Sequence, residues 1–336
     1  MHEICGHSNC RSFDFCPAFH GHRRISANGD PGPIKQAPDS GIWYPSNSPA
    51  SSQPIGPFRA DVALNGAIDG AKFPVIFISH GTAGSLASHY DTAVALAQAG
   101  FVVVAVTHTG DNSQDQSYAG NRIDLTDRPR QFKQVIRFVL EDWNEHSHID
   151  VEKVGVFGFS LGGFTALVEA GGVPDLRRMV QLCHERPQAP ECNFIRQRQG
   201  DQLGPITESP VWVHDSRIRV AVIVAPAAAY LFGSGGLKQI GIPIQLWRAA
   251  VDTQAPDAWN SAVVRSGLPS TPDLHTVSNA DHYAFLPPCS DSLRQAAPSI
   301  CTDGPGFDRA TFHKQFNREV VAFFSQYLVG KKPRSR

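Results

Sequence analysis

The stretch Val154-Gly155-Val156-Phe157-Gly158-Phe159-Ser160-Leu161-Gly162-Gly163-Phe164-Thr165-Ala166-Leu167 changes character halfway along. Its first half is apolar without alternation, the pattern of a strand covered on both faces. Its second half spaces apolar residues as a helix does. At the junction stands Gly158-Phe159-Ser160-Leu161-Gly162, a G-x-S-x-G pentapeptide. A serine there must occupy a sharp turn with strained backbone, and glycines flank it because side chains would collide with the neighbouring strand and helix. Such a turn exposes the Ser160 hydroxyl at the carboxyl end of the sheet. It also puts the Leu161 N–H at a helix N-terminus, where it can donate to an oxyanion.

Outward from this junction the pattern repeats. Phe73–Ser79, Phe101–Val106, Ile218–Val224 and Ile242–Trp247 read as further buried strands, and Gly41–Pro45 as an early one. Helix-like segments fall at Ser88–Gly100, Gln131–Asn144, Leu161–Glu169 and Asp257–Val264, with Phe307–Leu328 as a closing helix. Alternating strand and helix predicts an α/β fold with a mostly parallel central sheet flanked by helices. Residues 176–217 break the rhythm and read as a cap- or lid-like insertion. Residues 1–24 read as a disordered extension, and 25–336 as a single domain. The extension holds Cys5, Cys10, Cys16 and four histidines (His2, His7, His20, His22), but the spacing matches no zinc pattern, so no metal site is expected.

Charge narrows the partners. The 336 residues carry 30 Lys+Arg against 31 Asp+Glu, which leaves no net field for a polyanion, and nucleic acid is not expected. No apolar run reaches the length of a membrane-spanning helix, so no integral membrane segment is expected. The first twenty positions also lack the basic-then-apolar pattern of a signal peptide.

A serine hydroxyl attacks poorly until a base takes its proton, so a histidine and an acid should follow in the chain. Asp252 stands in a polar loop just past the Ile242–Trp247 strand. His282 follows a last short strand, Leu274–Val277, and could reach Ser160 through one ring nitrogen and Asp252 through the other. Competing residues fit less well: His275 lies inside that strand, Asp257 reads as a helix N-cap, and Asp281 adjoins His282 too closely to orient its ring. A second oxyanion donor should come from the loop His80-Gly81-Thr82-Ala83-Gly84, with the Thr82 N–H first and Ala83 second. His80, Ala83, His108, Asp111, Tyr230 and Phe285 are candidates for the substrate pocket.

With nucleophile, acid, base and loop placed, the chain resembles the α/β-hydrolase superfamily. More narrowly it resembles the dienelactone-hydrolase-like and platelet-activating-factor-acetylhydrolase-like bacterial serine esterases. The likeness runs from about Gly41 to the C-terminus and is carried by Trp43-Tyr44-Pro45, the loop from Ser79 to Ser85, the Ser160 turn, Val251 to Pro256, and Asp281 to Cys289. It departs at one point: dienelactone hydrolases proper use a cysteine nucleophile, and position 160 is serine. The resemblance therefore implies a carboxylesterase that forms an acyl-enzyme on a small-molecule ester, with neither metal nor organic cofactor. Two alternatives stand beside it, a lipase-like or polyester- or aryl-ester-cleaving enzyme and a catalytically idle relative that binds a ligand. Spacing and resemblance together suggest that Cys183 pairs with Cys192 and Cys289 with Cys301, which points to a periplasmic or secreted protein.

Overall fold

A computed structural model describes residues 16–24, 38–200, 206 and 210–330. The unalternating apolar runs lie at the centre of a ten-stranded sheet. Its strands are β1 (Cys16–Arg24), β2 (Asp39–Ser46), β3 (Ser51–Ile55), β4 (Phe58–Leu64) and β5 (Phe73–Ser79), then β6 (Val102–Thr107), β7 (Ile149–Phe159), β8 (Ile218–Val224), β9 (Ile244–Ala249) and β10 (Asp273–Val277). They are ordered β10-β9-β8-β7-β5-β6-β2-β1-β4-β3. From β10 to β6 all neighbours are parallel, whereas β2 runs antiparallel to β6.

Side chains alternate along a strand, so a run that is apolar throughout must feed two cores. Val75 and Phe77 of β5 pack with Phe132, Val135 and Phe164 on one face. Ile76 and Ile78 of the same strand join Leu96, Phe316 and Phe324 on the other. The first face is covered by α2 (Arg122–Glu141) and α3 (Leu161–Glu169), the second by α1 (Tyr90–Gln98) and α9 (Arg309–Phe324).

Three segments differ from the sequence reading. The second helix begins at Arg122 rather than Gln131, capped by Asn121, whose side chain accepts the Ile123 N–H, and it runs through Pro129. Residues 176–217 contain two helices, α4 (Arg177–Glu185) and α5 (Pro190–Gln199), joined by the Cys183–Cys192 disulfide. Of the expected extension, Cys16–Arg24 is a strand whose backbone pairs with β2, while residues 1–15 lie outside the described residues. Pairing supplied by a neighbouring strand needs no apolar pattern, which is why the sequence did not betray it.

The remaining helices are α6 (Ser261–Gly267), α7 (Asp291–Ala296) and α8 (Pro298–Cys301). A second disulfide, Cys289–Cys301, closes the segment that holds α7 and α8. Both expected cysteine pairs are thus bonded, with Cα atoms 5.4 and 5.8 Å apart, which is compatible with an extracellular location. Among the described residues no helix is long and apolar enough to cross a membrane.

Candidate active site

Ser160 sits between β7 and α3 with φ 54° and ψ −122°, a backbone conformation that a residue with a Cβ adopts only under constraint. The constraint is visible. Its N–H donates to the Val224 carbonyl (2.9 Å), and its own carbonyl accepts from Gly163 (2.9 Å) and Ala227 (3.0 Å). The glycines flanking it have no room for more: a Cβ on Gly158 would run into the Gly162 carbonyl, and one on Gly162 into the Ser79 carbonyl of β5. Backbone cannot move aside as a flexible side chain can. Gly162→Ala is therefore expected to cost about 3 kcal/mol or more, read as a fall in the urea midpoint at unchanged m.

Two more loops at the carboxyl ends of the strands complete the set. Asp252 follows β9, and its Oδ1 accepts the N–H groups of Gln254 (3.0 Å) and Ala255 (2.6 Å), which fixes the carboxylate in its turn. Its Oδ2 lies 2.9 Å from His282 Nδ1, and His282 Nε2 lies 2.9 Å from Ser160 Oγ. All three side chains are buried. Because a carboxylate only accepts, Nδ1 carries the proton, which leaves Nε2 as acceptor for the serine hydroxyl. Asp281 ties the two loops together: its Oδ1 accepts the His282 N–H (2.7 Å) and the Thr253 N–H (2.8 Å). Sequence reasoning weighed Asp281 only as a rival acid; its part is to brace the turn that starts at His282.

Across from Ser160, the loop after β5 brings Gly81 so near that a Cβ on it would press on the serine Cβ. Among the described residues no group accepts the N–H of Thr82 or of Leu161. The Ala83 N–H is instead taken by Asp111 Oδ1 at 2.8 Å, so the second-choice donor is occupied.

Ser160 and His282 open on a cavity of about 590 Å³. Its lining includes Phe58, Leu286, Leu293 and Ile300, and from α5 Pro190, Glu191, Phe194 and Arg198. Glu191 hangs between Trp259 and Asn260, both donating to its Oε1 at 2.8 Å, and burial pushes its carboxyl above the usual range. No feature of the sequence marked this residue, since its partners are distant in the chain.

Of the pocket candidates, Ala83 borders the cavity. The others do not. His80, His108 and Asp111 are buried behind the loop, where Arg128 of α2 meets them. Phe285 packs in the core against Phe312 and Phe316, and Tyr230 is buried beside the same core as Phe164. His275, inside β10 as expected, is half-buried: its ring stacks on Trp247 at 4.0 Å and bonds to Asp273.

Residues 62–197 match the model of the dienelactone hydrolase family. That segment includes Ser160 and ends before Asp252 and His282. No curated protein matches the chain. Among solved structures, the chain is similar to a ferulic acid esterase from Streptomyces cinnamoneus, with 15% identity, a TM-score of 0.62, and coverage of 97% of this chain and 94% of that one. At that identity the likeness speaks for the fold, and the fold agrees with the strand order and the serine turn. Residues 62–197 are thus dienelactone-hydrolase-like, and the chain as a whole has the α/β-hydrolase fold.

Proposed function

We propose that this chain is a serine carboxylic ester hydrolase working through an acyl-enzyme. The observation that carries the reading is the continuous line from Asp252 through His282 to Ser160, two hydrogen bonds of 2.9 Å each, ending at a cavity. Ser160 Oγ attacks the ester carbonyl as His282 Nε2 takes its proton. The carbonyl oxygen, now an anion, is held by the Thr82 and Leu161 N–H groups. His282 then gives the proton to the departing alcohol. Water enters, loses a proton to His282 and attacks the acyl carbonyl, and the acid leaves as His282 returns that proton to Ser160 Oγ. Asp252 keeps Nδ1 protonated throughout and steadies the imidazolium. On this reading α4 and α5 form the cap.

An aryl-ester preference is the second reading, favoured by the rings of Phe58, Phe159, Phe194 and Tyr283 on the cavity lining. The structural neighbour is named a ferulic acid esterase, in keeping with it. A fluorophosphonate probe is expected to label wild type at Ser160, identified by peptide mass; an unlabelled protein would favour an idle ligand binder. Hydrolysis of p-nitrophenyl acetate, butyrate and octanoate beside methyl ferulate then sizes the cavity. Cleavage of methyl ferulate alongside the p-nitrophenyl esters is expected from a ring-lined space of about 590 Å³.

A further inference from the structure

Behind the Thr82 loop lies a charged set that the proposed chemistry never touches. Arg128 has no exposed surface. Its Nη1 donates to Asp111 Oδ2 and its Nη2 to the His80 carbonyl, while Nε reaches Thr165 Oγ1 at 3.4 Å. The other oxygen of Asp111 accepts the Ala83 N–H at 2.8 Å. One ion pair therefore grips the loop on both sides of the Gly81-Thr82 step, at the carbonyl before it and the amide after it. Ala83 has φ 58°, a region that a residue with a Cβ enters at a cost, and its amide is the group that Asp111 holds.

The titratable neighbours of this pair are all pushed toward their uncharged forms. Burial first, then the Arg128 charge, holds His80 and His108 well below the usual histidine range. Their hydrogen bonds agree: the His108 N–H donates to His80 Nε2, and His80 Nδ1 donates to the Gly81 carbonyl. Asp124 is pushed well above the carboxylate range, by burial and then by Asp111. Arg128 and Asp111 form the ion pair of this cluster, with no exposed side-chain surface on either. A buried ion pair adds little to stability compared with apolar packing, so its presence calls for another use.

We propose that Asp111 and Arg128 are positioning residues that aim the Thr82 N–H at the developing oxyanion. This rests on the esterase reading, in which Thr82 is a donor. Neither side chain borders the cavity, so both act through the loop. Oxyanion stabilisation depends on donors fixed in place before the charge forms, and a displaced loop forfeits it without weakening ground-state binding.

The test uses the full chain with p-nitrophenyl butyrate and a trifluoromethyl ketone. Ser160 Oγ adds to the ketone carbon, its proton passes to His282, and the carbonyl oxygen becomes an oxyanion in the same hole. For Asp111→Asn, kcat is expected to fall about 10- to 100-fold with KM within about threefold, and the ketone Ki to rise in parallel with the loss in kcat. Asp127→Asn, on the same helix as Arg128 but paired with Arg130 outside the cluster, is expected to stay within about twofold on all three. A folded Asp111→Asn enzyme with kcat and Ki within about twofold of wild type would overturn the proposal, as would a rise in KM alone. If that variant does not fold, wild-type hydrogen exchange decides: a protected Ala83 amide is expected, and free-loop exchange there would overturn the grip. Wild type that neither turns over esters nor takes the fluorophosphonate would instead defeat the esterase reading, and this inference with it.

Discussion

Ser160→Ala is expected to lower kcat for p-nitrophenyl butyrate by about 10⁴-fold or more, with thermal stability close to that of wild type. The argument is local. Alanine keeps the Cβ, so the turn at φ 54° and its bonds to Val224, Gly163 and Ala227, all made by backbone, are retained. What goes is the one atom within reach of His282 Nε2 that could bond to an acyl carbon. Residual turnover would reflect water oriented by His282 and the two N–H groups, slower by the lost covalent step. A Ser160→Ala enzyme within tenfold of wild type would remove Ser160 as the nucleophile.

Asp252→Asn should be nearly as severe, about 10³- to 10⁴-fold in kcat, for a reason that concerns one proton. The asparagine oxygen can still accept from Gln254 and Ala255, so the turn survives. Its amide then faces His282 Nδ1 in place of Oδ2 and donates where the carboxylate accepted. The ring answers by carrying its proton on Nε2, which now points a hydrogen at Ser160 Oγ and can no longer remove one. Steady-state kinetics beside a melting curve separates this from damage to the fold: kcat collapses while Tm moves little. A large fall in Tm with only a modest fall in kcat would recast Asp252 as a structural residue.

The sheet and the three side chains of this line were legible in the sequence because each depends on local pattern. A strand apolar on both faces, a glycine-flanked serine, and polar loops after the next strands all leave their mark within a dozen residues. What escaped depends on partners far along the chain. The segment before Pro129 reads as a break because proline gives up a helical hydrogen bond, yet the buried residues on either side, from Leu125 to Phe132, secure the helix. Asp111 reads as a pocket residue because it follows a strand end; it faces away because Arg128, 17 residues later, draws its carboxylate beneath the loop. In the same way α5 carries few apolar residues, and the Trp259 and Asn260 that receive Glu191 lie 68 and 69 positions downstream.

The two disulfides do not touch the line from Asp252 to Ser160. Each closes a short excursion, of 9 and 12 positions, and each excursion adjoins or supplies residues that line the cavity: Pro190, Glu191 and Phe194 around the first, Leu293, Ala297 and Ile300 within the second. Ser160, Asp252 and His282 hang from strand ends, whereas part of the cavity lining hangs from cross-linked segments. Reduction of either disulfide would therefore loosen part of the cavity lining while leaving the strand ends that carry Ser160, Asp252 and His282 in place.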